Sequence, residues 1–367
     1  MKLTVNKTDM NEAVSNIQRA VSSKTSIPAL EGILLSAAEG QLELSAYDLE
    51  LGITTVIPAK VQEPGRSVLS ARLLSDIVRR TPSDAIEITV DPKNMAAIES
   101  GASHFSIIGI PAEEFPELPK LSDSVQISLP ANVLKSIIRQ TVYAVAESDA
   151  KPIHQGSLFA IENNMLDVVA VDGYRLAKRS EAIAFEGKLS FVVPGKTLNE
   201  LTKLLKDSDD PVEISAGQRH ILFKIANYTV ISSLLEGEFL NYKATIPTTS
   251  KTTVTLRARD AIESVERVSL LITDRLKSPV RCIFGDHEMK LLCTTSMGRA
   301  SDQLPVEMEG DEVEIGFNNR YLLDALRNTE CDEIRVGLSG PLSPMTVQPK
   351  EGDSFLFLVL PVRLKND

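Results

Sequence analysis

The chain has 367 residues, with 39 basic against 50 acidic side chains and a formal net charge of −11. That balance excludes a protein that coats nucleic acid through overall positive charge. It leaves room for an acidic body with one locally basic surface, because steering and contact depend on the local field. No run of apolar residues approaches a membrane span, and the opening MKLTVNKTDM lacks the apolar stretch of a secretory signal. Cys282, Cys293 and Cys331 are odd in number and lack metal-type spacing, so reduced thiols in a cytoplasm are expected.

In chain order, a strand and an amphipathic helix come first. Two alternating strands follow, Gly32 to Ser36 and Gln41 to Ser45, joined through Glu39-Gly40. The segment SARLLSDIVRR then predicts a second helix, and Ala85 to Val90 and His104 to Ile108 predict further strands. The run Ile110-Pro111-Ala112-Glu113-Glu114-Phe115-Pro116-Glu117-Leu118-Pro119 breaks the pattern and reads as a link. Strand and helix then recur, with Leu134, Ile137, Ile138 and Val142 on one helix face and Lys135 and Arg139 on another. Asn241 to Thr253, with Pro247 and the polar run TTSKTT, forms a second link.

This order is a repeat. Asp48 follows Gly32 by 16 residues and Asp172 follows Gly156 by the same 16, an offset of 124; Glu114-Phe115 recurs as Glu238-Phe239 at that offset. A fainter third copy places Cys282-Ile283-Phe284 and Leu291-Leu292-Cys293 on the matching strands. A period of ~120 residues is domain-sized. Two helices and many strands per copy predict an α+β fold, with helices on one face of antiparallel sheet, used three times over residues 1–120, 121–248 and 249–367.

A charge pattern rides on the repeat. Arg72, Asp76 and Arg79 match Lys196, Glu200 and Lys203, and again Arg320, Asp324 and Arg327, each basic, acidic four later and basic seven later. Positions i, i+4 and i+7 share a helix face, so each copy shows a two-cation stripe. For one helix, solvation and i,i+4 ion pairs account for such a face. Recurrence in three copies suggests instead that the three faces look at one partner. With no Trp and 5% aromatic residues, contact with nucleic acid would be electrostatic and indifferent to sequence rather than by base stacking.

Catalytic signatures are missing. The four histidines, His104, His154, His220 and His287, have no ligand partner at metal spacing, and no P-loop, GxSxG or HExxH motif occurs. One enzyme reading stays open, a hydrolase using Asp172 and Arg175 of Asp172-Gly173-Tyr174-Arg175. Against it, Asp-Gly after a strand is turn chemistry, and Asp48 holds the matching turn in the first copy.

Taken in order, MKLTV, Ile27-Pro28-Ala29-Leu30, Ala46-Tyr47-Asp48-Leu49-Glu50, Phe115-Pro116, Val171-Asp172-Gly173-Tyr174-Arg175-Leu176-Ala177, Glu314-Ile315-Gly316-Phe317-Asn318 and Leu360-Pro361-Val362-Arg363-Leu364 resemble the bacterial DNA polymerase III beta subunit family, the replicative sliding clamps. The resemblance runs from Met1 to Leu364. It implies a non-catalytic processivity factor without cofactor, built as a three-domain protomer that joins a second copy head to tail in a closed ring around duplex DNA. Helices line the hole and sheets form the rim. Facing DNA it would set Arg72, Arg79, Arg80, Lys196, Lys203, Lys206, Arg320 and Arg327, with Lys135 and Arg139 as companions and Lys24 in a loop. Asp76, Glu200 and Asp324 would hold the affinity down so that the ring slides.

The resemblance also implies a groove for linear peptides of the polymerase alpha subunit, the clamp loader and repair polymerases. From the second copy and the following link it takes Val171, Gly173, Tyr174, Arg175, Leu176, Leu240 and Thr245. From the third it takes Asn318, Tyr321, Leu342, Pro344, Met345, Val359, Leu360, Pro361, Val362 and Arg363. Several of these apolar residues also suit ordinary core or strand positions. Leu240 stands where the family often has Pro and Ala244 where it often has a base, so peptide preference should differ here. Lys365-Asn366-Asp367 extend past the usual terminus, towards the groove mouth. The implied dimer contact sets Phe105 and Ile107 against Leu270 and Leu271 of the second copy, flanked by Glu99 and Arg299 as an ion pair of reversed polarity. A specialised clamp homologue, such as one resistant to an antibiotic that fills the groove, and a scaffold without a DNA role remain as alternatives.

Overall fold

The computed structural model describes residues 1–22, 24–148, 151–273, 275–276 and 278–364; the terminal Lys365-Asn366-Asp367 lie outside them. The first copy runs β1 (Lys2–Asn6), α1 (Lys7–Ile17), β2 (Gly32–Ala38), β3 (Gln41–Tyr47), β4 (Leu51–Glu63), β5 (Gly65–Ser70), α2 (Ala71–Arg80), β6 (Ala85–Val90), β7 (Met95–Ser100) and β8 (Ser103–Ile108). The second repeats that order as β9 (Val125–Pro130), α3 (Ala131–Val142), β10 (Gly156–Glu162), β11 (Met165–Val171), β12 (Arg175–Ala182), β13 (Lys188–Pro194), α4 (Gly195–Leu204), β14 (Pro211–Ala216), β15 (His220–Ile225) and β16 (Tyr228–Ser233). The third runs β17 (Thr252–Arg257), α5 (Ala258–Ser269), β18 (Val280–Gly285), β19 (Glu288–Thr295), β20 (Gly298–Pro305), β21 (Glu307–Glu309), β22 (Val313–Phe317), α6 (Asn319–Arg327), β23 (Glu333–Leu338), β24 (Met345–Pro349) and β25 (Phe355–Val359), with β21 an insertion. The faint third copy is real. It was hard to see because a repeat needs only its buried pattern, and that pattern tolerates exchange among apolar residues.

Local chemistry sets the helix starts. Asn6 caps α1 by accepting from the Thr8 amide at 2.8 Å, and Asn318 caps α6 by accepting from the Arg320 amide at 2.9 Å. Each striped helix buries one apolar face: Leu74, Ile77 and Val78 on α2, which leaves Leu73 exposed, Leu198 and Leu201 on α4, Leu322 and Leu326 on α6. Leu134, Ile137 and Ile138 of α3 are fully buried as expected, while Val142, in the last turn, is half-buried.

The described residues pack as two compact units, 1–135 with 200–234 and 136–199 with 235–367. Sheet pairing explains why these units cut across the repeat. Antiparallel pairing joins β2 to β5, β10 to β13, and β18 to β20 with β22; the remaining strands of each copy pair with one another, and in the first copy β1 also pairs with β4. In the first unit β4 of copy one pairs with β16 of copy two, Thr55 opposite Tyr228. In the second unit β12 of copy two pairs with β25 of copy three, Arg175 opposite Val359. The corresponding strands of the outer copies, β8 and β20, are sheet ends among the described residues.

Candidate functional site

The basic residues on the striped helices, Arg72, Arg79, Arg80, Lys196, Lys203, Arg320 and Arg327, are exposed, as are Lys206, Lys24 in its loop and Arg139 on α3. Lys135 is half-buried and paired with Asp207 at 2.9 Å. Asp76 pairs with Arg79 at 2.6 Å and Glu200 with Lys203 at 2.8 Å, both one turn towards the helix C-terminus. Such pairs set an acid before a base, the order that suits the helix dipole. In copy three the pattern differs: Asp324 turns to Arg175, Arg327 pairs instead with Glu266 at 2.6 Å, and Arg320 with Glu147 at 3.0 Å. Each stripe thus presents exposed cations whose charge is offset locally but not removed.

The segment Asp172-Gly173-Tyr174-Arg175 is a structural lock. Asp172 Oδ1 accepts from the amides of Tyr174 at 2.9 Å and Arg175 at 3.0 Å, and Gly173 takes φ +91°, a left-handed turn that glycine adopts without strain. Arg175, 6% exposed, donates from Nε to Asp172 Oδ2 at 2.9 Å and from its other arm to Asp324. Its guanidinium lies 4.6 Å from the Tyr321 ring centroid and 5.5 Å from that of Tyr143. Burial disfavours the charge of Arg175, and hydrogen bonds and charge from Asp324 and Asp172 outweigh it, so its pKa lies above the ordinary value. Both groups of the supposed catalytic pair are committed to holding the turn. The sequence does not show Tyr143 and Asp324 as partners, because one follows α3 and the other lies on α6, far apart in the chain.

The implied groove residues fall into two layers of the second unit. Val171, Leu176, Met345 and Val359 are buried beneath the surface, Val171 and Leu176 in a cluster with Leu358 and Tyr242. Above them Tyr174 is 61% exposed and Leu342 65%, with Leu240, Thr245, Leu360, Val362 and Arg363 also exposed. Tyr174 stacks on Tyr321 at 5.9 Å. Asn318, Pro344 and Pro361 are half-buried. The tail after β25 is pinned along this surface: the Leu360 amide donates to the Tyr174 carbonyl at 2.9 Å and the Val362 amide to the Gly316 carbonyl at 2.8 Å. Arg175 and the deeper apolar residues support the surface from below.

At the free sheet ends, Phe105 and Ile107 stand opposite Ile98 and Ala96 on the core-facing side of their sheet, yet Phe105 stays 36% exposed. Leu270, just after α5, is 82% exposed and Leu271 half-buried. Glu99 lies 3.3 Å from His104, and Arg299 is exposed on β20. Ile108, 75% exposed on the same edge, was not singled out by the sequence, because a strand's apolar run does not say which strand ends a sheet.

Among the described residues no cluster of His, Cys, Asp and Glu is arranged to hold a metal ion, and no helix is long and apolar enough to cross a membrane. Burial pushes the Cys282 thiol up to about 12, an inert core thiol. Burial, helped by Lys151, lowers the pKa of His154, which packs edge-on against Phe239.

Three tandem α+β copies with cation-striped helices and a pinned C-terminal tail define a three-domain repeat protein. Comparison with known proteins identifies the family. The DNA polymerase III beta subunit N-terminal, central and C-terminal domains match residues 1–119, 128–241 and 243–363. The chain is 33% identical to the beta sliding clamp of Bacillus subtilis over 99% of its own length and 100% of that protein. The solved B. subtilis clamp superposes over 100% of both chains with a TM-score of 0.96 at 32% identity. The Pseudomonas aeruginosa clamp bound to griselimycin covers 99% of this chain and 100% of its own, with a TM-score of 0.94 at 28% identity. The chain belongs to the beta sliding clamp family. It is a non-catalytic DNA sliding clamp that confers processivity on the replicative polymerase.

Proposed function

We propose that two copies of this chain close head to tail into a ring, β20 of each pairing with β8 of the other. The observation that carries this reading is the repeated junction. β4 takes β16 and β12 takes β25, so by the same rule β20 takes β8, and only a second copy supplies it head to tail. Such a heterologous contact that closes after two subunits removes both free edges. At the first junction Asn16 of α1 reaches Tyr228 of β16 at 2.9 Å, so helix ends meet the incoming strand. The matching contact sets Leu270 and Leu271, after α5, against Phe105 and Ile107 of the second copy, with Glu99 and Arg299 as the flanking ion pair.

Duplex DNA passes along the cation-striped helices, held without sequence preference by Lys24, Arg72, Arg79, Arg80, Lys135, Arg139, Lys196, Lys203, Lys206, Arg320 and Arg327. Contacts of this kind are counterion-releasing, so changing Lys196 and Lys203 to Glu should reduce the salt slope of DNA affinity by about 2 per protomer. Processive synthesis should fall with it. An unchanged slope with unchanged processivity would remove the DNA role of these helices.

The surface of Tyr174, Leu240, Leu342, Leu360 and Val362 receives linear motifs of the polymerase alpha subunit, the clamp loader and repair polymerases in the cytoplasm. An extended peptide buries apolar anchors there while its backbone follows the pinned tail. Fluorescence polarisation with a labelled Gln-Leu-x-Leu-Phe-type peptide tests this. Binding should be saturable, and a Leu360→Asp, Pro361→Gly double variant with unchanged Tm should lose it by about 100-fold, near 3 kcal/mol. Equal binding by both proteins overturns the groove assignment.

A further inference from the structure

The outer face of β18, β19 and β20 holds a cleft of about 700 Å³ that shares only Val362 and Arg363 with the groove. Arg281 and Arg363 line it over Leu292 and Leu364, with Arg299, the interface residue of the ring reading, at its β20 edge, and no carboxylate is among its described lining residues. In a chain of net charge −11 this is a local concentration of positive charge.

Strand alternation builds it. Val280, Cys282 and Phe284 of β18 point into the core, which turns Arg281 outward; Leu291 and Cys293 of β19 do the same for Leu292. The register sets Arg281 opposite Leu292, Leu292 opposite Ser301, and Thr294 opposite Arg299, so these side chains share one face. The acid of this strand, Asp302, turns the other way, to Ser264 and Arg267 of α5 at 2.9 and 2.6 Å. Arg281 is partly offset by Glu314 at 2.9 Å.

The cleft is continuous with the groove. Val362 and Arg363, at the end of the pinned tail, also line the cleft. A chain leaving the groove over Val362 therefore meets an apolar floor ringed by guanidinium groups. We propose that the cleft receives an acidic segment flanking the linear motif of a partner seated in the groove. This rests on the groove reading. The segment is extended polypeptide rather than nucleic acid, because Leu292 and Leu364 provide an apolar floor and because entry is from a peptide path.

The test uses three labelled peptides of equal length on the full-length protein: the core motif with Gly-Ser flanks, with three Asp before it, and with three Asp after it. One acidic peptide should bind about 5-fold tighter than the neutral one at 50 mM salt, and the gain should largely vanish at 500 mM. Arg281→Glu and Arg281→Met should each abolish the gain, with neutral-peptide affinity and Tm unchanged. A neutral peptide that fails to bind overturns groove and cleft together. If it binds but neither acidic flank helps, or if the gain survives both variants, the cleft assignment alone falls. Displacement of the acidic flank by short duplex DNA at equal charge would overturn it in favour of a nucleic-acid site.

Discussion

An Ile107→Asp variant is expected to sediment as a folded monomer at concentrations where the wild type is dimeric, and to fall off circular DNA within seconds. Ile107 shares the core-facing side of β8 with Phe105, opposite buried Ala96 and Ile98, at an edge with no further strand among the described residues. Closing the ring would cover that side with Leu270 and Leu271 of the second copy. Losing an isoleucine contact and burying a carboxylate against apolar groups costs about 3 kcal/mol. A two-protomer ring has two equal interfaces, so the dimer Kd should rise by ~10⁴. Glu99→Ala and Arg299→Ala should each weaken the dimer by less, about 1 kcal/mol per interface, as expected of rim charges. A dimeric Ile107→Asp protein would refute the β8–β20 junction. Unchanged affinity in both alanine variants would remove only the reversed ion pair.

Arg175→Ala should be the most destabilising single change in the second unit. The guanidinium is shared between Asp172 and Asp324 and lies against Tyr321 and Tyr143, so its removal strands two poorly solvated carboxylates. Breaking a buried pair from one side costs about 3–5 kcal/mol. For a unit of this size that lowers Tm by roughly 6–20 °C. Arg175→Lys should recover only part, because an ammonium cannot reproduce the two-armed geometry. Peptide affinity should fall as well, since Tyr321, on which Tyr174 stacks, loses the guanidinium against its ring. Urea unfolding followed by circular dichroism reads the first effect. A loss under 1 kcal/mol would show that the lock is not a principal support.

The α+β class, the 124-residue period between the first copies and the turn at Asp172 were legible in the chain, because alternation, helical spacing and Asp-Gly turn chemistry act within a few residues. The cation stripes were legible too: a helix face follows from spacing alone. The destinations of the acids were not. Asp324 has the same place in its helix as Asp76 and Glu200, yet only Asp324 finds Arg175, which comes from β12. Nor could the pattern separate the buried Met345 and Val359 from the exposed Leu342 and Leu360, because all four read as strand-type apolar residues.

The sequence by itself determined a fold used three times, its helices, its turns and a repeated basic face, since these depend on local periodicity and on which residues prefer water. Tertiary structure alone decided which strands end a sheet, which apolar side chains stay exposed and which charges find a buried partner. Those outcomes depend on hydrogen bonds and packing between residues far apart in the chain, such as β12 with β25 or Arg175 with Asp324, and no local pattern encodes them.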